Sequence, residues 1–383
     1  MSANRPRVIL LRGHSANLWD LRPWELLLDR FDVRVLVTGS NLFQLDGLGI
    51  TVDHVRSPRG LFPRGRAGSA ATYLLGDRYI GLKHHLRAAD IVHSCEIGTW
   101  FSAQAATAKK ELGFKLALTV WETIPWASTW RWPRERRYRR DVMAETDLYL
   151  PTSKRAALAL RLEGAPAGKI KLCPPGVDLQ RFANRAAEAT AAAESPLILS
   201  AGRLVWEKGH QDVLRAAAVI AQGFDGELPV DGLRVLIVGD GPEGKRLRGY
   251  ADELGIGDRV EFRRSVPYDE MPDVYASASV LVLASLQRQG WEEQFGMVLT
   301  EAMASGLAVI TTSSGAIPEV VGGPPAILFP SGDWPSLASA LRLRLERSSS
   351  NESIIWSAEH LSQFSRESAA ERVAQAYWQL LGA

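Results

Sequence analysis

Glu293 and Glu301 lie eight positions apart in the stretch Trp291-Glu292-Glu293-Gln294-Phe295-Gly296-Met297-Val298-Leu299-Thr300-Glu301. The stretch follows an apolar run at 280–284 and opens a run of helical character at 297–304. Glu293 then falls in a loop, and Glu301 lies more than one turn into the helix. That separation prevents the two carboxyls from sharing one proton. It suits two separate grips on an extended ligand, because a carboxylate accepts two hydrogen bonds at once and so matches a vicinal diol. Gly296 between them leaves backbone amides at the helix N-terminus free to face negative charge. A capped helix carrying surface acids is the plainer reading, but such a helix has no use for three acids and a glycine at its entrance.

A second group of residues could hold phosphate. Gly202-Arg203-Leu204-Val205-Trp206-Glu207-Lys208-Gly209 follows a strand-like run and precedes a helical one. Arginine grips phosphate oxygens as a fork and lysine acts as a point charge, so Arg203 and Lys208 together could hold one diphosphate. Two solvated cations on a turn is the alternative. Val238-Gly239-Asp240-Gly241-Pro242-Glu243 and Ser313-Ser314-Gly315-Ala316-Ile317-Pro318-Glu319-Val320-Val321 also follow strands, and each is nonspecific alone.

Short apolar runs alternating with helical ones must position these loops. Strands are expected at 8–11, 33–38, 90–94, 115–120, 147–151 and 169–173 in the first half. In the second they are expected at 197–201, 234–239, 259–263, 280–284, 308–312 and 326–329. Helices are expected between them, for example at 99–112, 154–163 and 210–220. This pattern predicts parallel sheets covered on both faces, with ligands at the carboxyl ends of the strands. A boundary is expected near Pro174-Pro175-Gly176-Val177-Asp178. The domains are then 1–178 and 179–364, and a terminal amphipathic helix over 365–383 packs back on the first. An Ala-rich linker or loosely held helix is expected at 183–194, a mobile loop at 59–66 and a surface turn at 348–351.

A chain of 383 residues suits two domains. Two cysteines, Cys95 and Cys173, give no disulfide framework and point to a reducing, cytoplasmic setting. No apolar signal core precedes the first strand, and no run reaches membrane-spanning length. Residues 1–178 carry 27 Lys+Arg against 17 Asp+Glu, and the remainder 18 against 26, so the halves suit different partners.

In order and spacing, these motifs resemble the donor-binding half of retaining GT-B glycosyltransferases of family 4, whose hallmark Glu-x7-Glu is matched by Glu293 and Glu301. The resemblance is specific over about 145–340. It implies the GT-B fold: two α/β, Rossmann-like, doubly wound domains facing an interdomain cleft. It also implies that Arg203 and Lys208 hold the diphosphate of a nucleotide-sugar donor, that Gly202 and Gly239 belong to the donor site, and that Glu301 takes the ribose. Glu293, Phe295, Gly296, Met297 and Val298 would then hold the sugar, with Ser265-Val266-Pro267 against the base. The implied reaction is metal-independent, front-face hexosyl transfer with retention, from a UDP- or GDP-sugar to a glycan, lipid-linked or small-molecule acceptor. No cofactor, metal or nucleic acid is expected.

The first half departs from the family. Arg12-Gly13-His14 replaces a Gly-Gly after the first strand, and Trp121-Glu122-Thr123 stands where many members carry a His. His14, His93 and Glu122 are the candidates for the missing sugar contact, alongside packing roles for each. An aromatic and basic cluster between Trp126 and Arg140 (Trp126, Trp130, Arg131, Trp132, Arg134, Arg136, Arg137, Tyr138, Arg139, Arg140) suggests peripheral contact with an anionic inner membrane face or an anionic acceptor; stacking on a sugar, nucleic-acid binding or a solvated helix with a few buried Trp are the alternatives. A GT-B phosphorylase or epimerase, or a non-catalytic nucleotide-sugar binder, are the competing readings.

Overall fold

The computed structural model describes residues 5–39, 41–61, 76, 78–127, 133–188, 195–223, 227–348 and 354–382. The chain forms two compact units. One comprises Met1–Gly176 with Arg366–Ala383, the other Val177–Ser365.

The first unit holds a six-stranded parallel sheet of β1 (Arg7–Gly13), β2 (Asp32–Thr38), β3 (Thr51–Val55), β4 (Ile91–Cys95), β5 (Lys115–Val120) and β6 (Leu148–Pro151). Its order is β3-β2-β1-β4-β5-β6. The inner strands are buried on both faces, which is why they read as continuous apolar runs. One core packs β1 and β2 against the helices Leu18–Glu25 and Arg366–Leu381, with Trp24 Nε1 donating to Tyr377 Oη at 3.1 Å. The opposite core is closed by the helix Trp100–Leu112 and its neighbours. Thr99 caps that helix through its hydroxyl, and Gly113 ends it in a left-handed conformation.

The second unit repeats the arrangement with β7 (Leu197–Ala201), β8 (Arg234–Val238), β9 (Val260–Arg263), β10 (Val280–Leu283), β11 (Ala308–Thr312) and β12 (Ile327–Phe329). Its order, β12-β11-β10-β7-β8-β9, is the order of the first sheet read from the other edge. In both sheets the order reverses between the first and fourth strands, β1 beside β4 and β7 beside β10. This is the switch point at which open α/β sheets bind ligands.

Several expectations need correction. β3 escapes a reading based on apolar runs because it is an edge strand, exposed or half-buried in all but its last residue. The run at 169–173 is not a strand. Its chain follows β6 through two hydrogen bonds, Lys171 N to Tyr149 O and Cys173 N to Pro151 O, and the proline pair then ends the pairing. The Ala-rich stretch begins inside the helix Leu179–Glu188, and 189–194 lie outside the described residues. The start of the loop at 59–66 belongs to the short helix Pro58–Leu61, and 62–66 also lie outside them. Ser348 ends the helix Trp334–Ser348, and 349–351 are not described.

Candidate active site at the strand ends of the second unit

Four turns leave the carboxyl edge of the second sheet, and backbone contacts lock them together. After β7 the chain turns at Gly202, forms one helical turn over Trp206–Lys208, and enters the helix His210–Gln222 through Gly209. A Cβ at Gly209 would lie 1.9 Å from Ala284 O, so no other residue lets this turn pass the end of β10. His210 fixes the turn from below. Its Nε2–H donates to Arg203 O at 3.1 Å, and its Nδ1 accepts from Ser200 Oγ at 2.8 Å. Burial pushes its pKa down to about 4, which keeps it neutral in this role.

Lys208 is thereby delivered to Glu293. Its Nζ lies 2.6 Å from Glu293 Oε2, with the two side chains 14% and 8% exposed. The same carboxylate oxygen accepts from Ser285 Oγ at 2.6 Å, just beyond β10. Trp291 lies beside the ammonium, with its ring centroid 5.8 Å from Nζ. Sequence alone presents Lys208 and Glu293 as two independent contacts; the structure makes them one cation–carboxylate unit at the switch point. Arg203 is exposed and has no ion-pair partner among the described residues.

The main chain of Glu293 is held from both sides by the loop after β11. Its N–H donates to Ser314 Oγ at 3.2 Å, and its carbonyl accepts from Ala316 N at 2.9 Å. Gly315 sits between these two contacts at φ +55°, where a Cβ would come within 1.9 Å of Glu293 O. A turn that looked nonspecific in sequence is a clamp on the central acid.

Gly296, at φ +82°, starts the helix Met297–Ala304 with no side-chain cap. The amides of Met297 and Val298 therefore lack intrahelical partners and present partial positive charge. Phe295 is buried and packs edge-on against Phe364 at 5.7 Å. Glu301 is buried on this helix and accepts from Tyr275 Oη at 2.6 Å. Burial raises its pKa to about 7, against hydrogen bonds from Tyr275 and Tyr268 that lower it. On the β8 side, Gly239 leaves the strand, and Asp240 accepts from Ser265 N at 3.1 Å and from Arg264 Nε at 3.2 Å. Val266 follows, half-buried.

Sequence reasoning missed Ser285, Tyr275, Trp291 and Ser314. Tyr275, Trp291 and Ser314 lie on different turns or elements from the acid or lysine they touch, Ser285 shares the loop after β10 with Glu293 eight residues on, and no spacing rule links these pairs.

The first unit's edge is built differently. Arg12 is buried at the end of β1, with Nε donating to Asp20 Oδ2 at 2.8 Å and Nη1 to His93 O at 3.3 Å. His93 is fully buried: Nδ1 lies 2.5 Å from Tyr377 Oη and Nε2 2.7 Å from Thr119 Oγ1. Both ring nitrogens are engaged and burial holds the ring neutral, so the expectation that His93 faces a sugar gives way to a core role. His14 is half-buried at the mouth of β1. Glu122 bonds Ile124 N at 2.9 Å, and burial raises its pKa. Beside it is a residue that sequence did not suggest. Glu96 sits at φ +64° after β4 and accepts from Trp121 N at 2.7 Å. Burial, with Glu122 nearby, pushes its pKa up to about 7.

The basic cluster also divides. Arg139 is buried and donates from Nε to Glu163 Oε2 at 3.0 Å, which makes it structural. Tyr138 packs at a tilt against Trp100, with ring centroids 5.0 Å apart. Arg136, Arg137 and Arg140 are exposed on the helix Pro133–Glu145, and Trp126 is 53% exposed. Trp130, Arg131 and Trp132, with the side chain of Arg134, lie outside the described residues. No helix among the described residues is long and apolar enough to cross a membrane.

Two family models match the chain. The family described as Glycosyl transferases group 1 matches residues 183–360, and Glycosyltransferase Family 4 matches residues 25–181. The chain belongs to glycosyltransferase family 4. It is 31% identical over 267 residues to the D-inositol 3-phosphate glycosyltransferase of Nocardia farcinica, covering 64% of this chain and 56% of that one. It is 36% identical over 164 residues to the GDP-mannose-dependent alpha-(1-6)-phosphatidylinositol monomannoside mannosyltransferase of Mycobacterium tuberculosis, 41% of each. The chain thus spans about half the length of the curated relatives it matches. Among solved structures, sucrose-phosphate synthase from Thermosynechococcus elongatus superimposes with a TM-score of 0.77 at 21% identity, covering 99% and 100% of the two chains. Anabaena Alr3699/HepE in complex with UDP gives 0.75 at 17%, covering 98% and 100%. The fold of this family 4 chain is GT-B, with two Rossmann-like units.

Proposed function

We propose that this chain is a retaining, metal-independent glycosyltransferase that moves a hexose from a nucleotide sugar to a hydroxyl acceptor. The ion pair of half-buried Lys208 with buried Glu293 at the switch point carries the reading. Lys208, the exposed Arg203 and the free amides of Met297 and Val298 gather positive charge where a diphosphate would leave. Charge that grows on the leaving group is best stabilised by such fixed donors. Glu293 positions Lys208 and, with the 295–298 backbone, takes the sugar hydroxyls. Glu301, ionised above about pH 7, takes the ribose diol. The leaving phosphate accepts the acceptor's proton on the same face of the sugar, which gives retention.

Positive charge supplied by side chains and a helix end makes a metal unnecessary, and turnover is expected to persist in excess EDTA. The relatives' names support a sugar nucleotide as donor and an inositol-containing or lipid-linked acceptor. Trp126 with Arg136, Arg137 and Arg140 supports peripheral contact with an anionic membrane when the acceptor is lipid-linked. Thermal shift against UDP, GDP, ADP and their sugars tests the core of the reading. Ligand at about 100 times its dissociation constant adds about 2.7 kcal/mol of apparent stability. No shift with any nucleotide would overturn it.

A further inference from the structure

The second unit carries another concave surface, between the helices His210–Gln222 and Gly244–Glu253, with Trp206 and Pro242 at its border. Its volume is about 570 Å³, that of a small-molecule site. Its rings are held in place by guanidinium groups. Arg246 lies 4.4 Å from the Trp206 ring centroid, and Trp206 remains 38% exposed. Arg215 lies 5.4 Å from the Tyr250 ring centroid and donates from Nε to Tyr250 Oη at 2.7 Å, so the phenol keeps its proton to give away.

The charges in this cleft are balanced. Arg215 is paired with Asp212 at 2.5 Å and Arg246 with Glu243 at 2.5 Å, while Lys245 and Glu253 line the cleft with opposite signs. A polyanion finds no excess of positive charge here. The cleft offers instead flat aromatic surface beside a mixture of donors and acceptors: a phenol, an ammonium and a carboxylate. A pyranose has the matching signature, an apolar C–H face and a rim of hydroxyls that both donate and accept.

We propose that this cleft is a non-catalytic carbohydrate site that takes a neutral hexose unit of an oligosaccharide. It goes beyond the transfer reaction and stands without it. Trp206 opens the one-turn helix that ends at Lys208, so a saccharide bound here is held on the same turn as the site's cation.

Saturation-transfer NMR and titration calorimetry with maltotriose and mannotriose, with and without UDP, test the proposal. Binding of at least one trisaccharide by the wild type is expected. Trp206→Ala should weaken it at least tenfold and Glu253→Ala at least threefold. Glu253 is exposed near the end of its helix, so that variant keeps the fold if Trp206→Ala does not. The nucleotide thermal shift should be unchanged in Glu253→Ala, which separates failure of this site from failure of the donor reading. Absence of trisaccharide binding overturns the proposal. So does binding that Glu253→Ala leaves intact, or displacement of the saccharide by inorganic phosphate.

Discussion

The two units use one topology for opposite purposes at their switch points. In each, a cation at or beyond the end of the first strand meets the fourth strand or the loop that follows it. Arg12 reaches His93 O within the first unit, and Lys208 reaches Glu293 within the second. Arg12 is sealed under Trp24, paired with Asp20, and surrounded by core. Lys208 keeps some exposure and shares its turn with the exposed Arg203, which has no ion-pair partner among the described residues, and its partner Glu293 lies in the loop that leads into an uncapped helix. The fold therefore supplies the place for a charge, and the surrounding side chains decide whether that charge serves packing or chemistry.

The sharpest test exchanges the two cations' expected roles. Lys208→Ala should lower turnover by about 10²–10³-fold, the cost of removing one electrostatic stabiliser. Arg12→Ala should instead cost about 3–5 kcal/mol of stability by leaving a partly buried carboxylate unpaired, with turnover per folded molecule retained. Chemical denaturation and single-turnover rates measure both; the same pattern in the two variants would end the comparison. Next in size, Gly315→Ala places a Cβ against Glu293 O at a positive φ. It should cost about 1–3 kcal/mol and weaken nucleotide binding, read by denaturation and calorimetry.

Glu301 gives donor binding a pH signature, while Glu96 of the first unit, also pushed up to about 7, adds to the pH dependence of stability alone. The Glu301 carboxyl is raised to about 7, so it ionises only above that pH. If the ionised form alone grips the ribose, the donor's apparent dissociation constant rises about tenfold at pH 6, where about a tenth of the population is competent. Because the folded-state pKa is raised, ionisation costs stability as pH climbs from 4.5 toward 7. Glu301→Gln should flatten the affinity trend and remove its own share of the stability trend, Glu96 keeping the rest; a donor affinity equally pH-dependent in that variant would assign the effect elsewhere. The smallest effect is at the surface. Arg136→Ala and Arg137→Ala should each remove about 1 kcal/mol of affinity for anionic vesicles, measured by sedimentation; no binding at low salt by the wild type would remove the membrane role.

Much of the second unit was legible. The helix Met297–Ala304, its glycine entrance and the acids on either side follow from composition and period, because a buried parallel strand and an apolar helix leave strong local patterns. In the first unit the same logic placed β1, β2, β4, β5 and β6 but not β3, whose half-exposed edge has too little apolar content. His93 looked like a ligand contact because a histidine at a strand end is locally ambiguous. Thr119 and Tyr377, 26 and 284 residues away, show that its ring is consumed in the core.

The sequence alone determined the α/β alternation, the family hallmark from Glu293 to Glu301, and the presence of Arg203 and Lys208 on a strand-end turn. These are local, and local patterns report burial and backbone conformation directly. Tertiary structure alone decided that Lys208 and Glu293 form one unit across 85 residues, that Ser314, Gly315 and Ala316 clamp it, and that Tyr275 sets the environment of Glu301. The physical reason is that ion pairing, desolvation and backbone approach depend on distance in space, which in a crossover sheet is fixed by strand order and not by separation along the chain.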